Sequence, residues 1–312
     1  MPAAVTISSS TLTVDEVSEV RALAERAAAV DGAAPLNEAA LLHLRHPRPE
    51  VGHLRATLDD RLIGYAQLEV GEHSSVGQLV VDPGARHRGI GTQLAHALLA
   101  SAPSELQVWS AGSSPAAAAL AARLGMTVGR ELLVMQRDLA GGWPDPPTPA
   151  GLELRSFRVG EDEQAWLGVN ARAFAHHPEQ GSITADDLAA RMAEPWFDPA
   201  GFLVAARDDV MVGFHWTKQH EGTLGEVYVL GVDPEAAGAG LGKVLLAAGL
   251  RHLRDRGNTA VELYVEADHT RAVGLYRNYG FATASRDVMY VLTPRPPAPA
   301  SPPARTGAGS AR

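Results

Sequence analysis

The chain has 312 residues, a length that predicts two domains of ordinary size. Its formal net charge of -9 argues against binding to a nucleic-acid backbone, and no apolar run is long enough to span a membrane. The absence of cysteine excludes disulfides, thiolate metal sites and a cysteinyl acyl-enzyme. The first residues lack the pattern of a secretory signal, so we expect a cytoplasmic protein.

The first half of the chain predicts helices followed by strands. Helical periodicity covers VDEVSEVRALAERAAAVD and NEAALLHLRH, and the strand-like segments HLRATLD, RLIGYAQLEV and VGQLVVDP come next. A further helix is expected from about Gly91 to Ala100. The strand ELQVWS, the helix SPAAAALAARLG and the strand RELLVMQRDL complete this half.

The second half repeats this order of elements. Helices are predicted at DEQAWLGVNARAFA and TADDLAARMAE, then strands at GFLVAARD, MVGFHWTKQ and GEVYVLGVDP, and a helix at GLGKVLLAAGLRHLRDRG. We therefore predict the α/β class with mixed sheets, in tandem domains at residues 1–140 and 151–293. A Pro/Gly-rich linker is expected at 141–150, and the tail at 294–312 is expected to be disordered.

A glycine-rich turn between a strand and a helix occurs in both halves. LVVDPGARHRGIGTQLAHALL at 79–99 aligns with LGVDPEAAGAGLGKVLLAAGL at 230–250. Free N–H groups at a helix N-terminus, approached through glycines, form an anion site, and the repetition favours a diphosphate ligand over a simple tight turn. The run at 238–243 lacks the final glycine of the Rossmann fingerprint, and Val244 stands where a phosphate loop needs Ser or Thr. NAD and ATP are therefore poor candidates for the ligand.

These turns resemble a signature of the GNAT acetyltransferases. RHRGIGT at 86–92 fits Arg/Gln-x-x-Gly-x-Gly, AGAGLGK at 237–243 keeps both glycines, and HTRAVGLYRNYGF at 269–281 resembles the family's second signature. The resemblance implies an acyl-CoA N-acyltransferase fold in each domain, with acetyl-CoA as acetyl donor. The residues assigned to acetyl-CoA are Leu79, Val80, Val81, His87, Arg88, Gly89, Ile90, Gly91, Thr92, Leu230, Gly231, Val232, Ala237, Gly238, Ala239, Gly240, Leu241, Gly242, Lys243, His269, Thr270, Arg271, Ala272, Val273 and Gly274.

The second half alone carries both an acid and a base at comparable positions. Alignment of the two halves puts Glu226 opposite Ser75 and Tyr276 opposite Ala121. We expect Glu226 to accept a proton from the incoming ammonium and Tyr276 to protonate the leaving thiolate, with direct attack in a ternary complex. The structural alternatives are a solvated strand-edge carboxylate and a half-buried core tyrosine.

Across most of residues 1–293 the chain resembles the mycothiol synthase family, whose members acetylate the cysteinyl amine of cysteinyl-glucosaminyl-inositol (desacetylmycothiol). The stretches PLNEAALLHLRH, AFAHHPEQG, WTKQ and YVLGVDP carry this resemblance. It implies a catalytically degenerate first domain and a small polyhydroxylated amine as acceptor. The positions that it assigns to substrate binding are Glu38, Glu179, Lys218, Glu226 and Tyr264.

Other functions remain open at this stage. One is another small-molecule or protein N-acetyltransferase, and another is a non-catalytic acetyl-CoA-binding module, against which Glu226 and Tyr276 argue. No His-x-x-x-His spacing with a nearby carboxylate is present, so no metal is predicted. The sequence does not indicate an oligomeric state, and a monomer is compatible with it.

Overall fold

The computed structural model describes residues 5–238 and 240–292, apart from the side chains of Pro178 and Glu179. The predicted tail at 294–312 lies outside the described residues. The strands are β1 (Thr6–Ser9), β2 (Val51–Leu58), β3 (Arg61–Val70), β4 (Ser74–Val81), β5 (Glu105–Ser110), β6 (Thr127–Asp138), β7 (Leu152–Ser156), β8 (Phe202–Arg207), β9 (Val210–Gln219), β10 (Leu224–Val232), β11 (Ala260–Glu266) and β12 (Ala282–Leu292). The helices are α1 (Val14–Asp31), α2 (Glu38–Arg45), α3 (Ile90–Ser101), α4 (Pro115–Leu124), α5 (Glu163–Ala173), α6 (Pro178–Gly181), α7 (Ala185–Met192), α8 (Leu241–Asp255) and α9 (Thr270–Asn278).

The first helix shows how local sequence sets the ends of an element. At the start of α1, Thr13 and Glu16 form a reciprocal capping box that satisfies two free N–H groups. At its end, Gly32 adopts a left-handed φ of 70° and returns its N–H to the carbonyl of Ala28. The apolar residues at helical spacing, from Val20 onward, face the sheet and are buried.

All twelve strands join one mixed sheet in the order β1-β2-β3-β4-β5-β12-β6-β11-β10-β9-β8-β7. The pairs β4–β5 and β10–β11 are parallel, and the other described pairs are antiparallel. The α/β class with a mixed sheet is confirmed. The linker predicted at 141–150 falls between β6 and β7, and no helix in the described residues is long and apolar enough to cross a membrane.

The last strands of the two halves are exchanged. β6 belongs to the first half by sequence, yet it pairs with β11 and β12, and β12 also pairs with β5. Leu133 and Met135 of β6 are buried in the apolar cluster that packs against α8 and α9 of the second half. The second half therefore completes its core with a strand of the first half, β12 extends the sheet of the first half beyond β5, and the two halves share one continuous sheet.

Candidate active site

A fork opens in the sheet where β10 and β11 separate. Residues Leu224–Glu226 of β10 pair with Ala260–Glu262 of β11, but β10 runs on through residues 227–232 without a described partner on that edge. Glu226 is the last paired residue. In the first half β4 and β5 separate in the same way after Gly77. Such an open edge offers backbone N–H and C=O groups to an extended ligand that adds as a strand.

The end of β10 leads into a turn that suits an anion. Gly240 precedes α8 with φ of 77°, and Gly89 precedes α3 with φ of 81°, a conformation that favours glycine. Neither helix has a side-chain cap, so its first N–H groups face outward together with the positive end of the helix dipole. A Cβ at either glycine would meet no described atom within 4 Å. The two turns therefore have the same open geometry.

The segments predicted to bind acetyl-CoA adjoin the turn of their own half of the chain. The segments 79–81 and 230–232 end β4 and β10, the segments 87–92 and 237–243 form the turns and helix starts, and 269–274 begins α9, which His269 caps. A Cβ on Gly242 would contact both Val232 and Leu275, and the Tyr279 hydroxyl donates to the Lys243 carbonyl at 3.0 Å. Of the predicted residues, Ala239 lies outside the described part of the chain.

Tyr276 lies on the helix side of the fork. It packs with Val227 and Leu263 in the cluster beneath α8 and α9, with its ring edge toward Phe281 at a centroid distance of 5.7 Å. Burial raises the pKa of Tyr276 to about 12, so its phenol remains a proton donor at neutral pH. Among the described residues its hydroxyl has no hydrogen-bond partner.

Glu226 lies on the opposite face of the sheet, in a row of polar side chains. In the strand registers it stands beside Lys218 of β9 and Glu262 of β11, and Glu262 stands beside Gln136 of β6. Gln136 donates a hydrogen bond to Glu262 at 2.9 Å. Because side chains alternate between faces, Glu226 and the cluster that contains Tyr276 can be reached together only through the fork.

His220, in the hairpin between β9 and β10, contacts this row. Its Nε2 lies 2.7 Å from Oε2 of Glu226 and 3.6 Å from Oε1 of Glu262. The pKa of His220 is raised, mainly by the hydrogen bond with Glu226. Burial acts in the opposite direction but does not cancel this effect. These three residues place possible ligand atoms within 4.8 Å of one another, a spacing that a divalent cation could use, but Nε2 of His220 and Oε2 of Glu226 are already engaged in their mutual hydrogen bond.

The predicted acceptor residues come from both halves of the chain. The Lys218 ammonium forms an ion pair with Glu38 of α2 and lies over the rings of Trp196 and Tyr228, at 4.6 and 5.2 Å from their centroids. Tyr264 follows Glu262 by two residues on β11, shares its face and is 48% exposed. The structure thus brings Glu38, Lys218, Glu226 and Tyr264 to one face of the sheet. Glu179 is the second residue of α6, and its side chain is outside the described part of the structure.

The first half lacks this polar row. Ser75, the counterpart of Glu226, is fully buried and lies 3.2 Å from the hydroxyl of Ser104. The pairing of β9 with β10 is interrupted by a bulge at Tyr228, whereas β3 and β4 pair without one. Ala121, the counterpart of Tyr276, has no titratable group. The two halves share the turn but differ at both positions that the sequence comparison selected.

Sequence reasoning missed His220, Glu262 and Gln136. His220 could have been found from the hairpin sequence TKQHEGTLGEV, because the short connection from Gln219 to Leu224 folds His220 back toward Glu226. The other two depend on pairing between β10, β11 and β6, which are distant in sequence. Sequence alone gives no register for such pairs.

Comparison with known proteins agrees with this geometry. The Acetyltransferase (GNAT) family matches residues 18–126 and 170–281. In fold, the chain is similar to a tandem GNAT protein from the clavulanic acid biosynthesis pathway, with a TM-score of 0.75 and 21% identity over 94% of this chain and 99% of that one. It is also similar to a GCN5-related N-acetyltransferase from Sphaerobacter thermophilus, with a TM-score of 0.68 and 24% identity over 93% and 96% of the two chains.

Relatives found by sequence identity indicate a narrower family than the fold comparison does. The chain is 51% identical to the mycothiol acetyltransferase of Thermobispora bispora, over 87% of this chain and 94% of that protein. It is 49% identical to the mycothiol acetyltransferase of Streptomyces coelicolor, over 89% and 92% of the two proteins. The chain therefore belongs to the GNAT acetyltransferases and, among them, to the mycothiol acetyltransferase family.

Proposed function

We propose that the protein transfers the acetyl group of acetyl-CoA to the cysteinyl amine of cysteinyl-glucosaminyl-inositol, forming mycothiol. The observation that carries the proposal is the position of Glu226. This buried carboxylate occupies the last paired position before the β10–β11 fork, on the face that also presents Glu38, Lys218 and Tyr264. The family relationship supports the chemical class of the acceptor. The fork supports the position at which acetyl-CoA and the acceptor react.

Acetyl-CoA occupies the second-half fork. Its pyrophosphate accepts hydrogen bonds from the turn at 237–243 and the start of α8, and its pantetheine arm pairs with the free edge of β10 near residues 230–232. The segment 269–274, at the start of α9, borders the same ligand. The first-half segments 79–81 and 87–92 hold a second acetyl-CoA as a structural ligand. Ala239 belongs to the same proposal by the sequence resemblance alone.

The reaction follows from groups on the two sides of the fork. Glu226 takes a proton from the acceptor ammonium, directly or through one water, and the free amine attacks the thioester carbonyl. Backbone N–H groups near residues 230–232 polarise that carbonyl. When the carbon–sulfur bond breaks, Tyr276 gives its phenolic proton to the leaving thiolate, and the resulting phenolate is reprotonated by the second proton that the amine nitrogen loses as the amide forms, directly or through water. Its buried phenol is protonated at neutral pH, as this step requires.

The acceptor lies between the two halves of the chain. Glu38, Lys218 and Tyr264 provide carboxylate, ammonium and phenol groups that bind sugar and inositol hydroxyls. Glu179 joins them by the sequence resemblance. Because Glu38 comes from the first half, the site is enclosed by residues 1–140 as well as 151–293, which suits a small polyhydroxylated amine. A monomer suffices, and the reaction is placed in the cytoplasm with its donor.

The proposal is tested with purified full-length protein, acetyl-CoA and cysteinyl-glucosaminyl-inositol, by following free coenzyme A and product mass. Glu226→Gln should lower kcat about a hundredfold or more, and Tyr276→Phe by a comparable or smaller factor. Glu221→Gln is the matched control, since Glu221 is exposed in the same hairpin as His220. Intersecting initial-velocity lines support the ternary complex, whereas parallel lines would contradict it.

The same assay separates the alternatives. Acetylation restricted to other small amines or to peptides would support acetyltransferase activity but refute the proposed acceptor. No coenzyme A release with any amine, together with tight acetyl-CoA binding, would identify a binding module.

A further inference from the structure

His220 has no assigned part in the reaction above, yet it contacts the proposed base. It follows β9 directly, and its backbone N–H donates to the carbonyl of Leu224 at 2.9 Å, which fixes the hairpin. From this rigid position its Nε2 reaches Oε2 of Glu226 at 2.7 Å. Only one of the two carboxylate oxygens is engaged by this contact.

The imidazole ring contacts the carboxylates and also borders a solvent-accessible cavity. Glu226 of β10, Glu262 of β11 and Lys218 of β9 face it from the neighbouring strands. The His220 side chain is 32% exposed and lines a cavity of about 470 Å³. The other charged or titratable groups that border this cavity are Asp198, His252 and Arg256. His220 therefore joins a buried carboxylate to water.

We propose that His220 is a positioning residue whose Nε2–H donates to Glu226 and fixes the carboxylate, while its Nδ1 exchanges a proton with water in the cavity. This inference rests on the proposed role of Glu226. With both ring nitrogens protonated, the positive charge weakens Glu226 as a base. When Nδ1 gives its proton to water, Nε2–H remains, the hydrogen bond persists and the carboxylate becomes a stronger base.

The position of Glu262 fits this arrangement. Its side chain is 11% exposed and accepts a hydrogen bond from Gln136, so it remains beside His220 rather than turning to solvent. Two carboxylates facing one ring favour the imidazolium, which moves the titration of His220 toward neutral pH. The base then gains strength as pH rises through the raised pKa of His220.

The test compares pH profiles of kcat/KM for the wild type, His220→Gln and His220→Ala, all with EDTA present. Glutamine keeps an N–H donor without titrating. The acid limb, which is the part of the profile where kcat/KM rises with pH, should therefore move to lower pH by about one unit. Alanine removes the donor as well and should lower kcat/KM about tenfold or more at every pH. The acceptor amine titrates equally in all three proteins. His252→Gln, which borders the cavity without touching Glu226, should leave the limb unchanged.

A substrate-free measurement separates failure of this inference from failure of the proposed function. In nitrogen-15 NMR of the full chain, the histidine signal lost in His220→Gln should show a protonated Nε2 and a pKa above 6.5. Glu226→Gln should lower that pKa. Identical acid limbs in wild type and His220→Gln with EDTA present, or titration of His220 below 6.5, would overturn the inference.

Discussion

Replacing Lys218 by methionine removes the cation that links the two halves at the proposed acceptor site. The ammonium is paired with Glu38 and lies over the rings of Trp196 and Tyr228. Methionine preserves most of the side-chain volume, so the packing is disturbed little. In the variant the Glu38 carboxylate loses its ion-pair partner and, among the described residues, keeps only its interaction with the Tyr228 hydroxyl. We therefore expect lower stability as well as weaker acceptor binding.

The size of the effect follows from burial. The Lys218 and Glu38 side chains are 12% and 29% exposed, so water screens the pair only in part. Removing one partner of a fully buried pair costs about 3–5 kcal/mol, and cation–π contacts contribute about 0.5–2 kcal/mol. Allowing for the partial exposure of Glu38, we expect a loss of about 2–3 kcal/mol in the free energy of unfolding. The melting temperature should fall by roughly 3–5 °C, because the unfolding entropy of a chain of 312 residues is large.

A double-mutant cycle isolates the pair. Lys218→Met, Glu38→Gln and the double variant are compared by urea and thermal unfolding, with Lys243→Met as the control, since Lys243 is exposed. A coupling energy of about 1–2 kcal/mol is expected, together with a raised KM for the acceptor and an unchanged KM for acetyl-CoA in Lys218→Met. A coupling energy below about 0.3 kcal/mol would refute the reasoning.

Three further predictions concern the turn, the core and pH. Gly240→Ala should raise the KM for acetyl-CoA, while Gly89→Ala should leave kcat/KM unchanged, although alanine is equally strained at both left-handed positions. Gly249→Ala should destabilise the fold by about 3 kcal/mol or more in urea unfolding, because its Cβ would lie 2.0 Å from a buried histidine ring. The hydrogen-bonded Arg155 lowers the pKa of Asp162 in the folded protein. At pH values above the pKa of Asp162 in the unfolded chain, this carboxylate therefore stabilises the fold, and the stabilisation is lost as pH falls through its pKa in the folded protein. Asp162→Asn should flatten this acid-side loss in unfolding measured against pH.

Local patterns made much of the fold predictable from the sequence. The limits of α1 follow from a capping residue, a terminal glycine and helical spacing of apolar residues, all of which act within a few positions. Gly89 and Gly240 were found because the turn chemistry is repeated and requires positive φ. Glu226 and Tyr276 were found because the two copies differ there.

The rest depends on contacts between distant parts of the chain. Nothing local in β6 indicates that it pairs with β11, since its alternating apolar residues would suit a core in either half. The row from Lys218 to Gln136 exists only after that exchange has set the registers. The Lys218–Glu38 pair spans the two halves, so its residues were predicted separately and their contact was not.

The central claim is that the protein acetylates a cysteinyl amine on a glycosyl-inositol. The most direct measurement is kcat/KM with cysteinyl-glucosaminyl-inositol compared with glucosaminyl-inositol, which keeps the sugar and inositol but lacks the cysteinyl group. We expect a preference of about a hundredfold or more for the cysteinyl compound, with one acetyl group gained on its amine. Equal rates, or faster acetylation of the compound without cysteine, would contradict it.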